Sequence, residues 1–340
     1  FDVGTGALRE FHNGAVPISP YEARWFDAGC LVYANGHLLD LHGQLVWSLP
    51  DEVAAQVSEP RNTLLSPDRA WLANVVEESG AGDGPAALQI EVIRLTAPFD
   101  ALRLSAGGGG NASALLWAMA DDGLWLYFSD DDTGALQVYR ARPDGTDRQA
   151  LTAHDAAPAL IDALALSPDG RRLAYAARQV VAPLRPYTYQ AADEAWVGIV
   201  ELATGGARRV ALPKLGAVEA GQGLVWSADG QRLLVVGDSL PVATDDPLAG
   251  RQVHWLAADG TVVRSFYQSD APGAQLGWVS PLDDIDHLLF SSNADIYRYD
   301  DGQVRRLEGV ERPPIGQMGR RPVGVLPATT AFAGEAACQP

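Results

Sequence analysis

Lysine is nearly absent from this chain of 340 residues: of 25 basic residues, only Lys214 is a lysine and the others are arginines. The arginines are scattered and form no basic stripe, and 43 acidic residues bring the formal net charge to −18. Nucleic acids and anionic membrane surfaces are bound through concentrated positive charge. We therefore expect neither of them to be a partner of this protein.

Long apolar runs are missing as well, since no run approaches the roughly 18 residues that a membrane-spanning helix requires. The chain begins at Phe1 instead of a methionine. An exported chain begins this way after its signal segment is removed, and so does a trimmed chain. We adopt the first interpretation and expect an extracytoplasmic protein, in the periplasm or on the cell surface.

Cysteine is scarce, with Cys30 and Cys338 near the two ends of the chain. A bond between them would close a loop of nearly the whole chain, which restricts the unfolded state strongly and requires an oxidising compartment. The alternative is a buried Cys30 and an unrelated thiol in the tail. Both interpretations stay open from the sequence.

Signatures of common catalytic and cofactor sites are absent from the sequence. It contains no P-loop, no dinucleotide-binding glycine motif, no His-Glu-x-x-His and no Cys-x-x-Cys. His37 and His42 lie on one predicted strand, where alternation sends them to opposite faces. The aspartates at 130–132 lack the alternating spacing of a calcium loop. We predict no metal site and no cofactor.

One stretch, residues 233–241, reads LLVVGDSLP and resembles the Gly-Asp-Ser-Leu block of the GDSL esterases and lipases. In that family a nucleophilic serine follows a buried strand, and an Asp-x-x-His block lies near the C-terminus. Here Asp284-Ile-Asp-His287 would supply that block. No helical pattern follows Ser239, however, and no Gly-x-Asn-Asp block supplies oxyanion donors. We interpret the match as chance and predict that Ser239 is not a nucleophile.

The chain does contain an internal repeat. Residues 164–176, LALSPDGRRLAYA, align without a gap with residues 224–236, LVWSADGQRLLVV. Each copy reads as a strand, a Ser-x-Asp-Gly turn and a second strand, because the aspartate bonds its own backbone and glycine takes a positive φ. Weaker copies of the turn occur at residues 26–29, 66–69, 120–123 and 280–283.

A second hairpin follows each turn, so each unit holds four strands, which is one blade of a β-propeller. We predict an all-β, six-bladed β-propeller of four-stranded antiparallel blades, or seven blades if the two chain ends build another. Residues 1–20 form an N-terminal segment that could add a ring-closing strand, and residues 311–340 form a tail rich in Pro, Gly and Ala. The predicted blades cover residues 21–50, 61–105, 114–152, 160–213, 222–268 and 275–310.

The repeats resemble a known family. Residues 127–152, YFSDDDTGALQVYRARPDGTDRQALT, and the Ser-Pro-Asp-Gly turn are similar to the WD40-like repeats of TolB-type β-propellers and of the propeller domains of the prolyl-oligopeptidase family. The resemblance covers about residues 21–310. It implies the propeller fold and, through TolB, a protein partner in the cell envelope. The chain shows neither the α/β domain of TolB nor the hydrolase domain of the peptidases.

The repeat spacing places the long connections on one face of the predicted propeller. Loops on a rigid scaffold are where binding concentrates. One long connection holds Arg185, Tyr187 and Tyr189, whose side chains suit interface contacts, and another holds Asp245 and Asp246. We predict these five residues as partner contacts. The alternative is that the tyrosines fold back over the neighbouring blade.

These features favour a non-catalytic, extracytoplasmic propeller that acts as a protein-protein interaction or structural subunit of an envelope or surface assembly. One alternative is a propeller enzyme that gathers Asp, His or Arg side chains around a central channel. Another is a binder of small ligands or glycans on the same face. Asn111 begins an Asn-Ala-Ser sequon and is a predicted glycosylation site.

Overall fold

The structure is a computed structural model, and it describes a large part of the chain in sixteen segments. They are residues 24–26, 31–34, 36–40, 44–57, 63–78, 87–104, 114–131, 136–154, 159–179, 194–218, 223–239, 246, 248–272, 276–281, 284–292 and 295–307.

The described residues form antiparallel sheets that follow one another along the chain, with one short α-helix, α1 (Asp51–Ala54), and a 3-10 helix at Gln268–Asp270. Sheet A holds β1 (Arg24–Phe26), β2 (Leu31–Ala34), β3 (His37–Asp40) and β4 (Leu45–Ser48). Sheet B holds β5 (Thr63–Leu65), β6 (Trp71–Glu78), β7 (Ala87–Arg94) and β8 (Ala101–Arg103). Sheet C holds β9 (Leu115–Ala120), β10 (Gly123–Asp130), β11 (Gln137–Ala141) and β12 (Gln149–Ala150).

Sheets D to F continue the same order. Sheet D holds β13 (Ala159–Leu166), β14 (Arg172–Gln179), β15 (Glu194–Glu201) and β16 (Gly206–Ala211). Sheet E holds β17 (Leu215–Val218), β18 (Leu224–Trp226), β19 (Arg232–Ser239), β20 (Arg251–Ala257) and β21 (Val262–Tyr267). Sheet F holds β22 (Leu276–Pro281), β23 (His287–Ser292), β24 (Asp295–Asp300) and β25 (Gln303–Arg306).

The prediction of an all-β fold with four-stranded antiparallel sheets is confirmed, while the number of blades stays a prediction. Sheet E departs from the pattern, because β17 and β18 both pair with β19. The chain divides into two compact units. One is formed by Phe1–Arg61 with Ala271–Pro340 and includes sheets A and F, and the other is Asn62–Asp270 and includes sheets B to E.

Within the unit of sheets B to E, consecutive sheets pack face to face. Their first strands are neighbours, β5 with β9, β9 with β13 and β13 with β18. Apolar clusters fill the space between B and C, between C and D, and between D and E. The second strands of sheets C, D and E are buried on both faces, so each carries a continuous apolar run, as in Leu233–Val236 of β19.

The repeated sequence motif is a repeated turn. In sheet D the Ser167 hydroxyl donates to Asp169 Oδ1 at 2.6 Å and accepts from the Arg172 amide at 2.9 Å. Asp169 also accepts from the Arg171 amide, and the serine hydroxyl is the main cause that lowers the pKa of this carboxyl. Sheets B and E repeat the serine–aspartate bond at the same distance, with Ser66 and Asp68 and with Ser227 and Asp229.

Two tryptophans join the first strand of one sheet to that of the sheet before it. The indole N–H of Trp117 in β9 donates to the Leu64 carbonyl of β5 at 2.9 Å. In the same way Trp226 in β18 donates to the Ala165 carbonyl of β13 at 3.1 Å. Both rings are buried, so each pairs its polar atom while its carbon surface fills the space between two sheets.

The turns between third and fourth strands also pack on the preceding sheet. Gly260 has φ +86°, and a Cβ placed there would lie 2.6 Å from Val210 of β16. Gly145 repeats the arrangement, with φ +79° and Leu102 of β8 at 2.8 Å. Gly205 has φ +70° in the equivalent turn of sheet D, but nothing lies within 4 Å of its Cβ position.

The contrast between Gly260 and Gly205 predicts a difference in how much a substitution destabilises the protein. Gly260→Ala should lower the free energy of unfolding by about 2–4 kcal/mol, since it combines a left-handed backbone with overpacking. The matched control, Gly205→Ala, carries only the backbone penalty of about 1 kcal/mol. Urea unfolding of both variants measures the difference, and equal losses would show that the Gly260 turn does not hold sheet E against sheet D.

Candidate functional site at the loop end of the sheets

We call the end of each sheet where the second strand stops and the third begins the loop end. In sheet D this connection runs from Gln179 to Glu194, and in sheet E from Ser239 to Arg251. At the opposite end, the turn end, β13 and β14 are joined by five residues, Ser167 to Arg171, and β15 and β16 by four. The long connections therefore share the loop end, on strands fixed by the core.

A largely buried ion pair lies beside the long connection of sheet D. The ladder between β13 and β14 has a bulge at Asp162, whose carboxylate meets the Arg178 Nε at 3.0 Å. The Val218 amide of β17 also donates to this carboxylate, at 3.4 Å. Burial raises the pKa of the Asp162 carboxyl, and Arg178 acts in the opposite direction. The pair therefore fastens sheet E to sheet D at the loop end.

Sheet C has an equivalent pair. Asp130 ends β10 with only 2% of its side chain exposed, and Arg148 Nη2 lies 2.9 Å from its carboxylate. The guanidinium of Arg148 also lies 4.3 Å from the centre of the Tyr139 ring. The Asp131 amide donates to Asp130 Oδ1 at 2.9 Å. This carboxylate is thus held by a counterion and by backbone, which fixes the chain where it leaves the strand.

A polar network continues from sheet C towards sheet D. The Gln137 Oε1 accepts from the Thr152 hydroxyl and from the His154 amide, both at 2.8 Å. The His154 ring then stands edge-on to Tyr175 at 5.4 Å and to Trp196 at 5.9 Å. His154, which follows the last strand of sheet C, is therefore fixed against sheet D by aromatic contacts.

The Gly-Asp-Ser stretch of sheet E has a structural role at each position. A Cβ at Gly237 would lie 2.8 Å from the Ala217 carbonyl, so glycine allows β17 to pass close to β19. Asp238 meets Arg251 at 3.2 Å. The Ser239 hydroxyl accepts from the Gly250 amide at 2.9 Å.

The Asp-x-x-His block is also part of a turn. Asp284 Oδ1 accepts from the amides of Asp286 and His287, directly before β23. Ser239 belongs to the unit of sheets B to E, whereas this block belongs to the unit that contains sheet F. That Ser239 is no nucleophile stays a prediction. Ser239→Ala should cost about 1 kcal/mol through the lost bond to Gly250, measured by urea unfolding.

Of the five predicted partner contacts, Asp246 lies within the described residues. Its Oδ1 accepts from the Leu248 amide at 2.8 Å, and its side chain is half-buried. The others lie outside the described residues, as do both cysteines and the predicted glycosylation site; these residues are Arg185, Tyr187, Tyr189, Asp245, Cys30, Cys338 and Asn111.

Sequence reasoning missed the two buried ion pairs. The signal for the first was a single charge, Asp162, inside the apolar strand ALIDALAL, since a charge there requires a partner. Asp130 ends another strongly apolar strand. The partners Arg178 and Arg148 lie 16 and 18 residues further along the chain, so only the folded ladder brings them together.

Two kinds of feature are absent from the described residues, a metal-binding cluster and a membrane-spanning helix. Within the segments that the structure describes, no group of three or more His, Cys, Asp or Glu side chains is placed to hold a metal ion. Among the same segments, no helix has the length and apolar character needed to cross a membrane.

Comparisons with known proteins place the fold. No family model and no curated protein matches the chain. Among solved structures, dipeptidyl peptidase 4 from Porphyromonas gingivalis aligns with a TM-score of 0.53 and 12% identity, covering 84% of this chain and 46% of that one. The Dos1 propeller aligns with a TM-score of 0.52 and 9% identity, covering 84% and 69%.

TolB from Acinetobacter baumannii aligns with a TM-score of 0.41 and 13% identity, covering 82% of this chain and 60% of that one. The chain thus spans less than half of the length of the peptidase, and its neighbours include enzymes. Identities this low concern the fold alone. The predicted resemblance is confirmed at that level, and the chain has the fold of the β-propeller proteins.

Proposed function

We propose that this chain is a non-catalytic, extracytoplasmic β-propeller with one blade for each of its six sheets, and that it binds a protein partner through the loop end. The observation that carries the proposal is the pairing of the loop-end carboxylates with arginines. Asp130 is buried against Arg148, Asp162 is largely buried against Arg178, and Asp238 meets Arg251. These pairs fix the strand ends that the long connections join.

Catalysis would require different properties of the Asp130 and Asp162 carboxylates. A general acid or base must reach the substrate and change its protonation state during turnover. The carboxylates of Asp130 and Asp162 instead have fixed counterions and bonds from backbone amides. Removing one partner of such a buried pair costs about 3–5 kcal/mol. Their arrangement therefore supports a structural platform for binding.

The single lysine offers a sharp test of which end binds the partner. Lys214 is exposed and directly precedes β17, which pairs with the loop-end residues Gly237 and Ser239 of β19. An amine-reactive cross-linker applied to native cells should therefore couple a partner to the wild-type protein. Lys214→Arg keeps the charge and should abolish the product that is linked through residue 214, which peptide mass spectrometry tells apart from any link through the terminal amine.

The matched control moves the amine to the turn end of the preceding sheet, sheet D. Arg171 is exposed in the turn between β13 and β14, so Lys214→Arg with Arg171→Lys carries its only lysine at the turn end. We expect no recovery of the cross-linked partner in this double variant. Recovery from the turn end, or absence of any partner from the wild type, would contradict binding at the loop end.

Cell fractionation tests the location that we propose. The wild-type protein should be recovered with periplasmic or surface markers of its native cells. Recovery with the cytoplasmic fraction would contradict an envelope or surface role.

A further inference from the structure

Two hairpins share a motif that the turn repeat did not reveal. Residues 37–49, HLLDLHGQLVWSL, align without a gap with residues 254–266, HWLAADGTVVRSF. In both, the histidine Nδ1 meets a serine Oγ on the fourth strand, His37 with Ser48 at 2.9 Å and His254 with Ser265 at 2.8 Å. A bulge interrupts both ladders, between β3 and β4 and between β20 and β21.

In sheet E the chain of hydrogen bonds continues beyond the histidine. His254 Nε2 meets Gln252 Oε1 at 3.0 Å, and Gln252 Nε2 donates to the Leu248 carbonyl at 2.9 Å. The amide oxygen of Gln252 can only accept, so His254 Nε2 carries the proton and Nδ1 accepts from Ser265. His254 and Gln252 are completely buried. We call Ser265, His254, Gln252 and the Leu248 carbonyl the relay.

The relay ends at the loop end of sheet E, at Leu248; we call Asp246 and Leu248–Gly250 together the 246–250 turn. This turn has three other anchors: the Leu248 amide donates to Asp246 Oδ1, the Ala249 amide to the Asp246 carbonyl, and the Gly250 amide to Ser239 Oγ. The relay adds a bond to the Leu248 carbonyl from inside the sheet. A turn held on both sides presents Asp246 in one orientation.

We propose that His254 is a positioning residue for the partner site: through Gln252 it fixes the 246–250 turn, so that Asp246 meets the partner preorganised. The inference rests on the proposed function for the role of Asp246. A polar chain inside an apolar sheet is costly unless every group is satisfied, and here the chain connects an outer strand to the loop end. Fixing a loop in its bound conformation raises affinity by lowering the entropy lost on binding.

Hydrogen exchange of the purified protein tests the relay without any partner. Gln252→Met removes the bond to Leu248 with little change of volume, and His254→Leu removes the relay at its centre. Both should speed exchange of the Leu248, Ala249 and Gly250 amides about tenfold, which corresponds to one lost hydrogen bond. Unchanged exchange in Gln252→Met, the variant least able to disturb folding, would overturn the proposal.

The equivalent hairpin supplies the matched control. His37→Leu removes the same histidine–serine link from sheet A and should leave exchange at 246–250 unchanged. If His37→Leu speeds exchange there as much as His254→Leu does, the effect is general destabilisation and the proposal fails.

Cross-linking of the partner through Lys214 then tests the positioning role of the relay separately from the proposed function. Gln252→Met and Asp246→Asn should each reduce the cross-linked product several-fold, in keeping with hot-spot behaviour. Faster exchange with an undiminished product would overturn the positioning role. If no partner is captured even from the wild type, the proposed function fails, and with it Asp246 as a contact, while the exchange data still report the relay itself.

Discussion

Trp226→Ala is expected to lower the free energy of unfolding by about 3–5 kcal/mol, the range for emptying a buried aromatic site. The ring is 1% exposed and belongs to the cluster between sheets D and E. Alanine would leave a cavity there and would also leave the Ala165 carbonyl without its indole donor. The two sheets would lose packing and a hydrogen bond together.

Urea unfolding followed by circular dichroism measures this loss, and Trp226→Phe is the matched control. Phenylalanine keeps most of the ring but cannot donate to Ala165, so we expect a loss of about 1–2 kcal/mol. A Trp226→Ala variant as stable as Trp226→Phe would show that the cavity collapses and that the ring is not what joins the sheets.

Acidification should destabilise the protein by about 3 kcal/mol through His254 alone. Burial lowers the pKa of His254 from 6.5 to about 4, so the folded state holds a neutral ring. Above pH 6.5 both states are neutral and His254 contributes nothing. Between pH 6.5 and pH 4 only the unfolded state binds the proton, so stability falls as the pH falls. Below pH 4 the folded state is protonated too, and the loss levels off.

Chemical unfolding at a series of pH values between 7 and 4 checks this prediction. The His254→Gln variant should show a flatter dependence than the wild type, by up to about 1.4 kcal/mol per pH unit. Burial also lowers the pKa of His37, so replacing both histidines should flatten the dependence further. The serine hydroxyls lower the pKa of the turn aspartates Asp169 and Asp229, so these carboxyls do not add to the slope of the histidines. Parallel curves for wild type and His254→Gln would contradict the prediction.

The sequence predicted those parts of the fold that are local. The turn at Ser167–Gly170 forms through hydrogen bonds between residues two to five apart, and so local a motif can be recognised in the sequence. The Asp162 bulge and the strand β17 were not predicted, because both depend on pairing with residues far along the chain. For the same reason the relay was missed, since its histidine and serine are separated by a hairpin.

The structure gives a physical reason why this chain uses arginine in place of lysine. Arginines lie over tryptophan rings in three sheets, at 3.7 Å for Arg142 over Trp125 and at 3.8 Å for Arg209 over Trp196. In sheet E, Arg264 lies 4.1 Å from the centre of the Trp255 ring. A flat guanidinium can stack on a ring while its edge pairs with a carboxylate, as Arg142 does with Asp122, whereas an ammonium group has no flat face to stack.

Trp117 and Trp226 each bind a carbonyl that the ribosome makes well before the tryptophan itself. Trp117 lies 53 residues after the carbonyl that it binds, and Trp226 lies 61 residues after its own. At the usual pace of a ribosome, about 5–20 residues per second, the Ala165 carbonyl waits roughly 3–12 seconds for Trp226, and sheet D, complete at Ala211, waits roughly 1–3 seconds. Until Trp226 is in place, the apolar face of sheet D that it packs on stays uncovered, and a chaperone that recognises apolar surface can bind there.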